Sequence, residues 1–335
     1  MRKSLTAKPE YLFIRILEAC NANCFMCDFR LSKDQYRFSR KDLEEILPRV
    51  REEGIKYIRL TGGEPLLHTD ILDFLQLIKK EGMKSSIITN GFFLEKKIDD
   101  LVKAGLNQII VSIDGAYPET HNQIRNTPDL FNRAIRGLRQ ALATGIVCRV
   151  NTVCGFHNFR EMPKLQDLLT EIGVHQWELS SLKLEGPLEH SSDDRADIED
   201  IINYVYRDAV QARRLIPMGK IWCGETKEER ERYFATGITP RADQKCLLVD
   251  KVRYLDGKNG YLYACSLISH RPNALEYAAP VLPPCEFSVM DAQILRQVDY
   301  FKKCGPSICT GCSTTAAGYS NQLLFSGDLQ DDWSF

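Results

Sequence analysis

Hydrophobic positions in the first half of the chain switch repeatedly between the period of a strand and the period of a helix. Short β-rich runs predict six strands, at Tyr11–Leu17, Tyr57–Leu60, Ser85–Ile88, Gln108–Ile113, Val147–Val153 and Gln176–Leu184. Between the strands, apolar residues at helical spacing predict outer helices. Ser39 is a suitable N-cap for the first helix, and Leu72, Leu75 and Ile78 form the predicted buried face of the second. Repeated βα units favour a parallel sheet covered by helices.

The predicted fold class is α/β, and six βα units suit either an open doubly wound sheet or a partial (β/α)6 TIM barrel. Both folds bind ligands at the carboxyl ends of their strands. Reactive or polar residues lie at those ends here: a cysteine loop after strand one, Thr61–Pro65 after strand two, Asn90 after strand three, and Ser112 and Asp114 at the end of strand four. The sequence therefore predicts one functional rim.

Composition changes this picture in the last third of the chain, where periodicity fades and cysteine, proline and glycine become frequent. We expect a core over residues 1–218 and a small module over residues 219–335.

The 44 Lys+Arg nearly balance the 45 Asp+Glu, which gives no support to nucleic-acid binding. No apolar run approaches the roughly 20 residues that span a bilayer, and no secretion signal is recognisable. We expect a cytoplasmic protein with neither nucleic-acid nor membrane partners.

Twelve cysteines are many for a chain expected in a reducing compartment, where clustered cysteines more often bind metal or react than form disulfides. Cys20, Cys24 and Cys27 form a C-x3-C-x2-C loop after the first strand. Zinc usually takes four ligands, and no His or fourth Cys lies nearby. Three thiolates on a [4Fe–4S] cluster leave one iron open for chemistry. The alternative is three buried structural cysteines or a redox patch.

The cysteine triad, followed one βα unit later by Gly62-Gly63-Glu64-Pro65, resembles the radical S-adenosylmethionine (SAM) enzymes, although Met26 stands where an aromatic residue is usual. The resemblance implies a partial barrel, a [4Fe–4S] cluster and SAM, which one electron cleaves to a 5′-deoxyadenosyl radical that abstracts hydrogen from substrate. It implies cofactor contacts by Gly62, Gly63, Glu64, Asn90, Ser112, Asp114, Arg149 and Asn151. Arg149 would meet the SAM carboxylate, and the alternative is a solvated arginine at a strand end.

The C-terminal cysteines predict a second metal centre. Lys251–Tyr254 and Tyr261–Ala264 flank a turn-rich segment and predict a hairpin that brings Cys246 near Cys265, and Cys309 and Cys312 supply two more thiolates. Four thiolates suit zinc or a second Fe–S cluster. The spacing resembles the twitch form of the twitch/SPASM auxiliary-cluster modules of radical SAM enzymes, which implies a second [4Fe–4S] cluster. Cys285 or Cys304 is an alternative ligand.

The resemblance also bears on the substrate. Only 19 residues precede Cys20, so we expect no leader-peptide-binding domain. A barrel with a twitch module and no N-terminal extension resembles radical SAM enzymes that act on small molecules, such as cytosylglucuronate decarboxylase. The resemblance implies a small sugar or nucleoside-sugar substrate in antibiotic or natural-product biosynthesis. Decarboxylation, alcohol dehydrogenation and epimerisation stay open, and the electron donor would be a flavodoxin or ferredoxin. The alternatives are a maturase of a peptide or protein and a non-catalytic Fe–S or zinc protein, against which the Gly-Gly-Glu-Pro element argues.

Several further residues are candidates for the substrate chemistry. Cys148, Cys154 and Cys223 are unassigned thiols, of which one in the barrel could return a hydrogen atom, although free cysteines are more often buried apolar residues. Glu178 on strand six could bind sugar hydroxyls or lie at an exposed strand end. His121 and Arg125, four residues apart, could line the mouth of the barrel or form a solvated helix face, and we expect the solvated face.

Overall fold

A computed structural model describes residues 9–27, 29, 32–181, 200–201, 204–205, 215, 217–218, 228, 248–266, 269, 278–282 and 287–304. The strands are β1 (Tyr11–Leu17), β2 (Tyr57–Gly62), β3 (Lys84–Thr89), β4 (Gln108–Ser112), β5 (Val147–Cys154), β6 (Gln176–Ser181), β7 (Pro217–Met218), β8 (Val252–Asp256), β9 (Tyr261–Tyr263) and β10 (Ala279–Pro280). The α-helices are α1 (Arg40–Glu52), α2 (Ile71–Lys80), α3 (Leu94–Ala104), α4 (Pro118–Arg125), α5 (Leu130–Ala143), α6 (Met162–Ile172), α7 (Leu248–Lys251) and α8 (Ala292–Cys304).

The first two helices show how apolar spacing sets the outer layer. The Ser39 hydroxyl accepts a hydrogen bond from the Asp42 amide at 3.0 Å, so the predicted N-cap of α1 is confirmed. In α2 the buried stripe is Ile71, Phe74, Leu75 and Ile78. The prediction for Leu72 is wrong, since this side chain is 36% exposed. The i, i+3, i+4, i+7 stripe begins at Ile71, which turns the neighbouring Leu72 away from the sheet.

Strand order decides between the two predicted architectures. The strands form a ten-stranded sheet in the order β10-β9-β8-β1-β2-β3-β4-β5-β6-β7. From β1 to β7 each strand is parallel to the next one along the chain. A doubly wound sheet reverses its strand order, whereas a barrel does not. The prediction of an α/β fold of partial-barrel type is confirmed.

One face of this sheet carries a polar layer. Strand alternation places Arg59, Ser86, Gln108, Arg149 and Gln176 on that face, and all five side chains are buried. Arg59 Nη2 reaches Gln108 Oε1 at 3.5 Å, and Gln108 Nε2 donates to Gln176 Oε1 at 3.0 Å. Each contact skips one strand, as expected on the concave side of a curved sheet. The opposite face packs apolar residues against the helices.

The C-terminal hairpin is an extension of the same sheet. β8 and β9 pair antiparallel, with Asp256 opposite Tyr261, so the predicted hairpin is confirmed. β8 also pairs in parallel with β1, from Tyr11 opposite Val252 to Arg15 opposite Asp256. The predicted boundary near residue 218 falls mostly outside the described residues and stays a prediction. In the described part of the chain, no helix has the length and apolar character needed to cross a bilayer.

Candidate functional site

The cysteine loop leaves β1 at the carboxyl rim of the sheet. Cys20 is exposed, Cys24 is buried and Cys27 is intermediate. The Ala22 amide donates to Cys20 Sγ at 3.4 Å, and the Cys27 amide donates to the Cys24 carbonyl at 3.2 Å. Although the residue as a whole is exposed, desolvation of its sulfur by surrounding protein atoms raises the pKa of Cys20 to about 11, and the nearby Glu64 and the other two cysteines add to this effect. A bound metal cation would reverse it by favouring the thiolates.

Gly62 and Gly63, at the end of β2, let the backbone there approach the segment Leu17–Ala19, which lies just before Cys20. The Gly63 amide donates to the Leu17 carbonyl at 2.9 Å, and the Glu64 amide donates to the Ala19 carbonyl at 2.9 Å. An added Cβ would overlap the Leu17 carbonyl oxygen at position 62 and the Ala19 carbonyl oxygen at position 63. The resemblance implied that these glycines contact the cofactor. Their observed partner is the start of the cysteine loop, and cofactor contact stays a prediction.

Glu64 connects the ends of β2 and β3. Its buried carboxylate accepts hydrogen bonds from the Leu66 amide at 3.0 Å, the Thr89 hydroxyl at 2.7 Å and the Asn90 amide at 2.8 Å. Burial raises the pKa of Glu64, and these hydrogen bonds oppose that shift. The observed role of Glu64 is therefore to position two strand ends.

Asn90 links β3 to the cysteine loop. Its amide nitrogen lies 2.9 Å from Asn21 Oδ1 and 3.9 Å from Cys20 Sγ. Its amide oxygen accepts from the Phe92 backbone amide at 2.9 Å. The sequence predicted that Asn90 lies at this rim, and the structure brings it against the first of the three cysteines.

Asp114 holds an arginine against the second cysteine of the triad. Asp114 is fully buried, with one carboxylate oxygen 2.7 Å from Arg125 Nε and the other accepting from the Val153 amide at 2.9 Å. Arg125 Nη1 lies 3.8 Å from Cys24 Sγ. Both carboxylate oxygens of Asp114 thus have partners within the protein, and the cofactor contact that the resemblance implied stays a prediction.

The expectation of a solvated face at His121 and Arg125 is wrong. His121 is fully buried, and its Nδ1 accepts from the Asp114 amide at 3.1 Å. The Arg125 side chain is only 12% exposed. Their i, i+4 spacing indicated that the two residues share a helix face, but it did not reveal the environment of that face. The face is buried because α4 packs against the end of β4 and the cysteine loop. A strand-end aspartate followed by a basic residue on the next helix was the available signal.

Arg149, Asn151 and Glu178 meet on the interior face of the sheet. Arg149 Nε donates to Asn151 Oδ1 at 2.9 Å, and its guanidinium forms an ion pair with Glu178. Ser112 lies opposite Asn151 in the strand register. The Arg149 side chain is 4% exposed, so the alternative of a solvated strand-end arginine is excluded. The shared face of Arg149 and Asn151 is confirmed, and contact with the SAM carboxylate stays a prediction.

A sequence model described as the Radical SAM superfamily matches residues 14–169, from β1 into α6. The matched region contains the three cysteines, the Gly-Gly-Glu-Pro turn, Asp114 and Arg125. Residues 14–169 of the chain form a radical SAM domain. The chain is therefore an enzyme whose reaction subclass is open.

Curated relatives and solved structures resemble this radical SAM chain over most of its length. The probable GTP 3′,8-cyclase of Saccharolobus solfataricus is 30% identical over 205 residues, which are 60% of this chain and 66% of that relative. SuiB of Streptococcus suis bound to S-adenosylmethionine superimposes with a TM-score of 0.64 at 18% identity, over 95% of this chain and 75% of SuiB. Native anSMEcpe with bound AdoMet superimposes with a TM-score of 0.65 at 16% identity, over 95% of this chain and 96% of anSMEcpe. The two structures share the fold of this chain.

The cysteine loop of this radical SAM chain fits an iron–sulfur cluster. Three thiols share one loop, and nitrogen donors from Ala22, Asn90 and Arg125 approach two of the sulfurs. Such contacts stabilise thiolate ligands and tune the cluster. No set of three His, Cys, Asp or Glu side chains in the described part of the chain is arranged to hold a single metal ion. A [4Fe–4S] cluster does not require the three thiolates to converge on a single ion, since each thiolate binds a different iron.

The second predicted cluster of this radical SAM chain falls largely outside the described residues. Cys265 is half-buried and follows β9 within two residues. The other predicted ligands, the unassigned thiol and one alternative ligand lie outside the described residues: Cys246, Cys309, Cys312, Cys223 and Cys285. The remaining alternative, Cys304, is the last residue of α8. The auxiliary cluster stays a prediction.

The two cysteines of β5 lie away from the interior face. Cys148 and Cys154 are buried in the apolar core. They alternate along the strand with Arg149 and Asn151, and so point toward the outer helices. Burial raises the pKa of both thiols, that of Cys148 to about 12. This environment argues against either residue as a hydrogen-atom donor in the barrel, because neither side chain faces its interior.

Proposed function

We propose that this chain cleaves SAM reductively and abstracts a hydrogen atom from the sugar part of a small, anionic nucleoside or nucleotide. The observation that carries the proposal is the cysteine loop, which three neighbouring strand ends and α4 hold at the rim above a polar interior face. Such a rim brings cofactor and substrate together while the sheet and helices exclude water.

Cys20, Cys24 and Cys27 would hold the cluster. When bound, the cluster and SAM would supply one electron and a carbon radical able to take hydrogen from an unactivated C–H bond. Gly62 and Gly63 pack closely against the backbone just before the loop and so would help to position its first cysteine. This positioning serves catalysis because a radical reaction requires the target carbon to be held near the radical carbon.

Two buried arginines support an anionic substrate. The described partners of Arg59 are neutral: Ser86 Oγ at 3.1 Å, Gln108 Oε1 at 3.5 Å and the Phe13 ring at 4.6 Å. Arg149 pairs with Glu178, but its buried Nη1 has no hydrogen-bond partner among the described residues. A buried cation needs a counter-charge or hydrogen bonds, and a phosphate or carboxylate of the substrate would supply both.

The name of the curated relative supports the sugar as the site of attack. A GTP 3′,8-cyclase acts on a nucleotide, and its 3′ position belongs to the ribose. This name favours a nucleotide over the antibiotic sugars that the sequence predicted, and both share a sugar as the group attacked. A flavodoxin or ferredoxin would deliver the electron.

Isotope transfer tests the proposal. Anaerobically reconstituted chain, a reductant and SAM are incubated with GTP deuterated at ribose C3′ and, separately, with a nucleoside sugar deuterated on its sugar. We expect deuterium in 5′-deoxyadenosine from one of them. Replacing Arg59 by Met should raise KM for that anionic substrate by about tenfold or more, since a charge-assisted contact is lost. Release of 5′-deoxyadenosine without deuterium from either probe, together with transfer from a labelled peptide, would support the maturase alternative instead.

A further inference from the structure

We propose that Arg125 is a positioning residue that raises the reduction potential of the cluster on the first cysteine triad, and that Asp114 holds its guanidinium in place. This inference rests on the proposed function, because it requires a cluster on Cys24. It assigns a redox role to two residues that the sequence analysis had treated separately. Asp114 was expected to contact the cofactor, and Arg125 was expected on a solvated helix face.

The geometry fixes the charge close to one sulfur. Arg125 presents two different nitrogens to two partners, Nε to Asp114 Oδ2 at 2.7 Å and Nη1 to Cys24 Sγ at 3.8 Å. Asp114 is fully buried, and its second oxygen is occupied by the Val153 amide. The aspartate therefore cannot rotate freely, and the planar guanidinium is held in one orientation.

The backbone around Arg125 also contacts the cysteine loop. The Asn23 amide donates to the Arg125 carbonyl at 3.2 Å, and the Phe25 amide donates to the Ile124 carbonyl at 3.3 Å. These are carbonyls at the C-terminal end of α4, where the helix dipole places partial negative charge. The loop that would hold an anionic cluster is thus docked on the negative end of a helix. The Arg125 guanidinium brings a compensating positive charge to that point.

The potential of an iron–sulfur cluster depends on the charges, hydrogen bonds and solvent around its sulfurs. Ala22 and Asn90 approach Cys20 with neutral groups, whereas Arg125 brings a full charge to Cys24. An arginine stays protonated in proteins, so its effect is that of a fixed charge. In a buried site this charge stabilises the more negative, reduced cluster, and Asp114 partly opposes it.

Two substitutions should therefore move the potential in opposite directions. In R125M the positive charge is lost, and the potential becomes more negative. In D114N the opposing negative charge is lost while the side-chain shape is kept, and the potential becomes more positive. A purely structural role for the pair predicts no such opposition, since either change would only loosen the loop.

The test is a redox titration of the anaerobically reconstituted full chain, followed by the electron paramagnetic resonance of the reduced cluster. The signal that changes when SAM is added identifies the first cluster. We expect R125M to shift its midpoint by more than about 59 mV to negative values, which is tenfold in the reduction equilibrium for one electron. R125K should lie nearer the wild type, and D114N should shift to positive values. R136M, which breaks the exposed Arg136–Glu95 pair, should cause no shift.

The outcomes separate this inference from the proposed function. Unchanged midpoints, or shifts of the same sign in R125M and D114N, would overturn the redox role of Arg125 while leaving the cluster and SAM cleavage intact. If R125M fails to take up iron, the sign of the D114N shift decides. A wild-type chain that takes up no iron on Cys20, Cys24 and Cys27 would instead remove the proposed function itself.

Discussion

Individual side chains at the rim hold one another in place before any of them meets a ligand. Glu64 binds the ends of β2 and β3, Asn90 reaches Cys20, and Asp114 fixes Arg125 beside Cys24. The sequence identified most of these residues because polar groups at strand ends are unusual. It could not identify their partners, since pairs such as Arg125 and Cys24 are 101 positions apart along the chain.

Gly63 offers a direct test of the backbone contact beneath the cysteine loop. In G63A the new Cβ would overlap the Ala19 carbonyl oxygen, so the start of the loop must move. We expect the variant to lose most of the iron of the first cluster while the sheet still folds, measured as iron per chain and by circular dichroism.

The matched control is G82A. Gly82 has a φ of +73°, but an added Cβ would meet nothing within 4 Å. This substitution carries a backbone cost of about 1 kcal/mol without a clash at the rim. Equal iron loss in both variants would contradict the role assigned to Gly63.

His121 predicts a pH dependence of stability. Burial, with the nearby Arg125, lowers its pKa from 6.5 to about 4. The unfolded chain therefore binds a proton between these values that the folded chain does not, and stability falls as the pH drops through this window. From pH 7 to pH 5 the contribution of His121 is about 2 kcal/mol.

The measurement compares urea unfolding of the wild type and H121Q at pH 7 and pH 5. H121Q should lose about 2 kcal/mol less than the wild type on acidification. Other titrating groups are common to both proteins and cancel in this difference. Identical pH dependence in the two proteins would show that His121 is not held neutral.

At the scale of elements, periodicity predicted β1 to β6 to within a few residues, but it did not predict the two-residue strands β7 and β10. It missed the environment of α4, because a short helix made mostly of polar residues is typical of a solvated surface. It also missed the pairing of β8 with β1, since contacts between the two ends of the chain leave no local signal. That pairing brings the turn of the hairpin to the cysteine loop.

An ionic cluster joins the hairpin turn to the loop. Lys258 Nζ lies 2.6 Å from Asp34 Oδ2 and 3.3 Å from Glu18 Oε1, while Arg15 lies between Glu18 at 2.9 Å and Asp256 at 3.0 Å. In K258M we expect amide hydrogen exchange to become about two- to fivefold faster in residues 32–36 and 256–260, since the pair is partly exposed and contributes modestly. K56M, which breaks the Lys56–Glu10 pair at 2.6 Å, is the control and should leave both segments unchanged. Unchanged hydrogen exchange in K258M would show that these ion pairs do not couple the hairpin turn to the cysteine loop.

At the scale of the whole molecule, one continuous sheet carries the three cysteines at its rim and the buried Arg59 and Arg149 on its interior face. The family could be predicted from the sequence because its two motifs are short and lie close together in the chain. The substrate could not, because the groups that would select it are brought together only by the curvature of the sheet.

Formation of 5′-deoxyadenosine from SAM tests the central claim most directly. The wild type, reconstituted anaerobically with iron and sulfide and then reduced, should release 5′-deoxyadenosine and methionine. The variant in which Cys20, Cys24 and Cys27 are replaced by Ala should release neither, whereas C148A, which changes a thiol of the apolar core, should retain the reaction. Release of 5′-deoxyadenosine by the triple variant at the wild-type rate would contradict a catalytic cluster on these three cysteines.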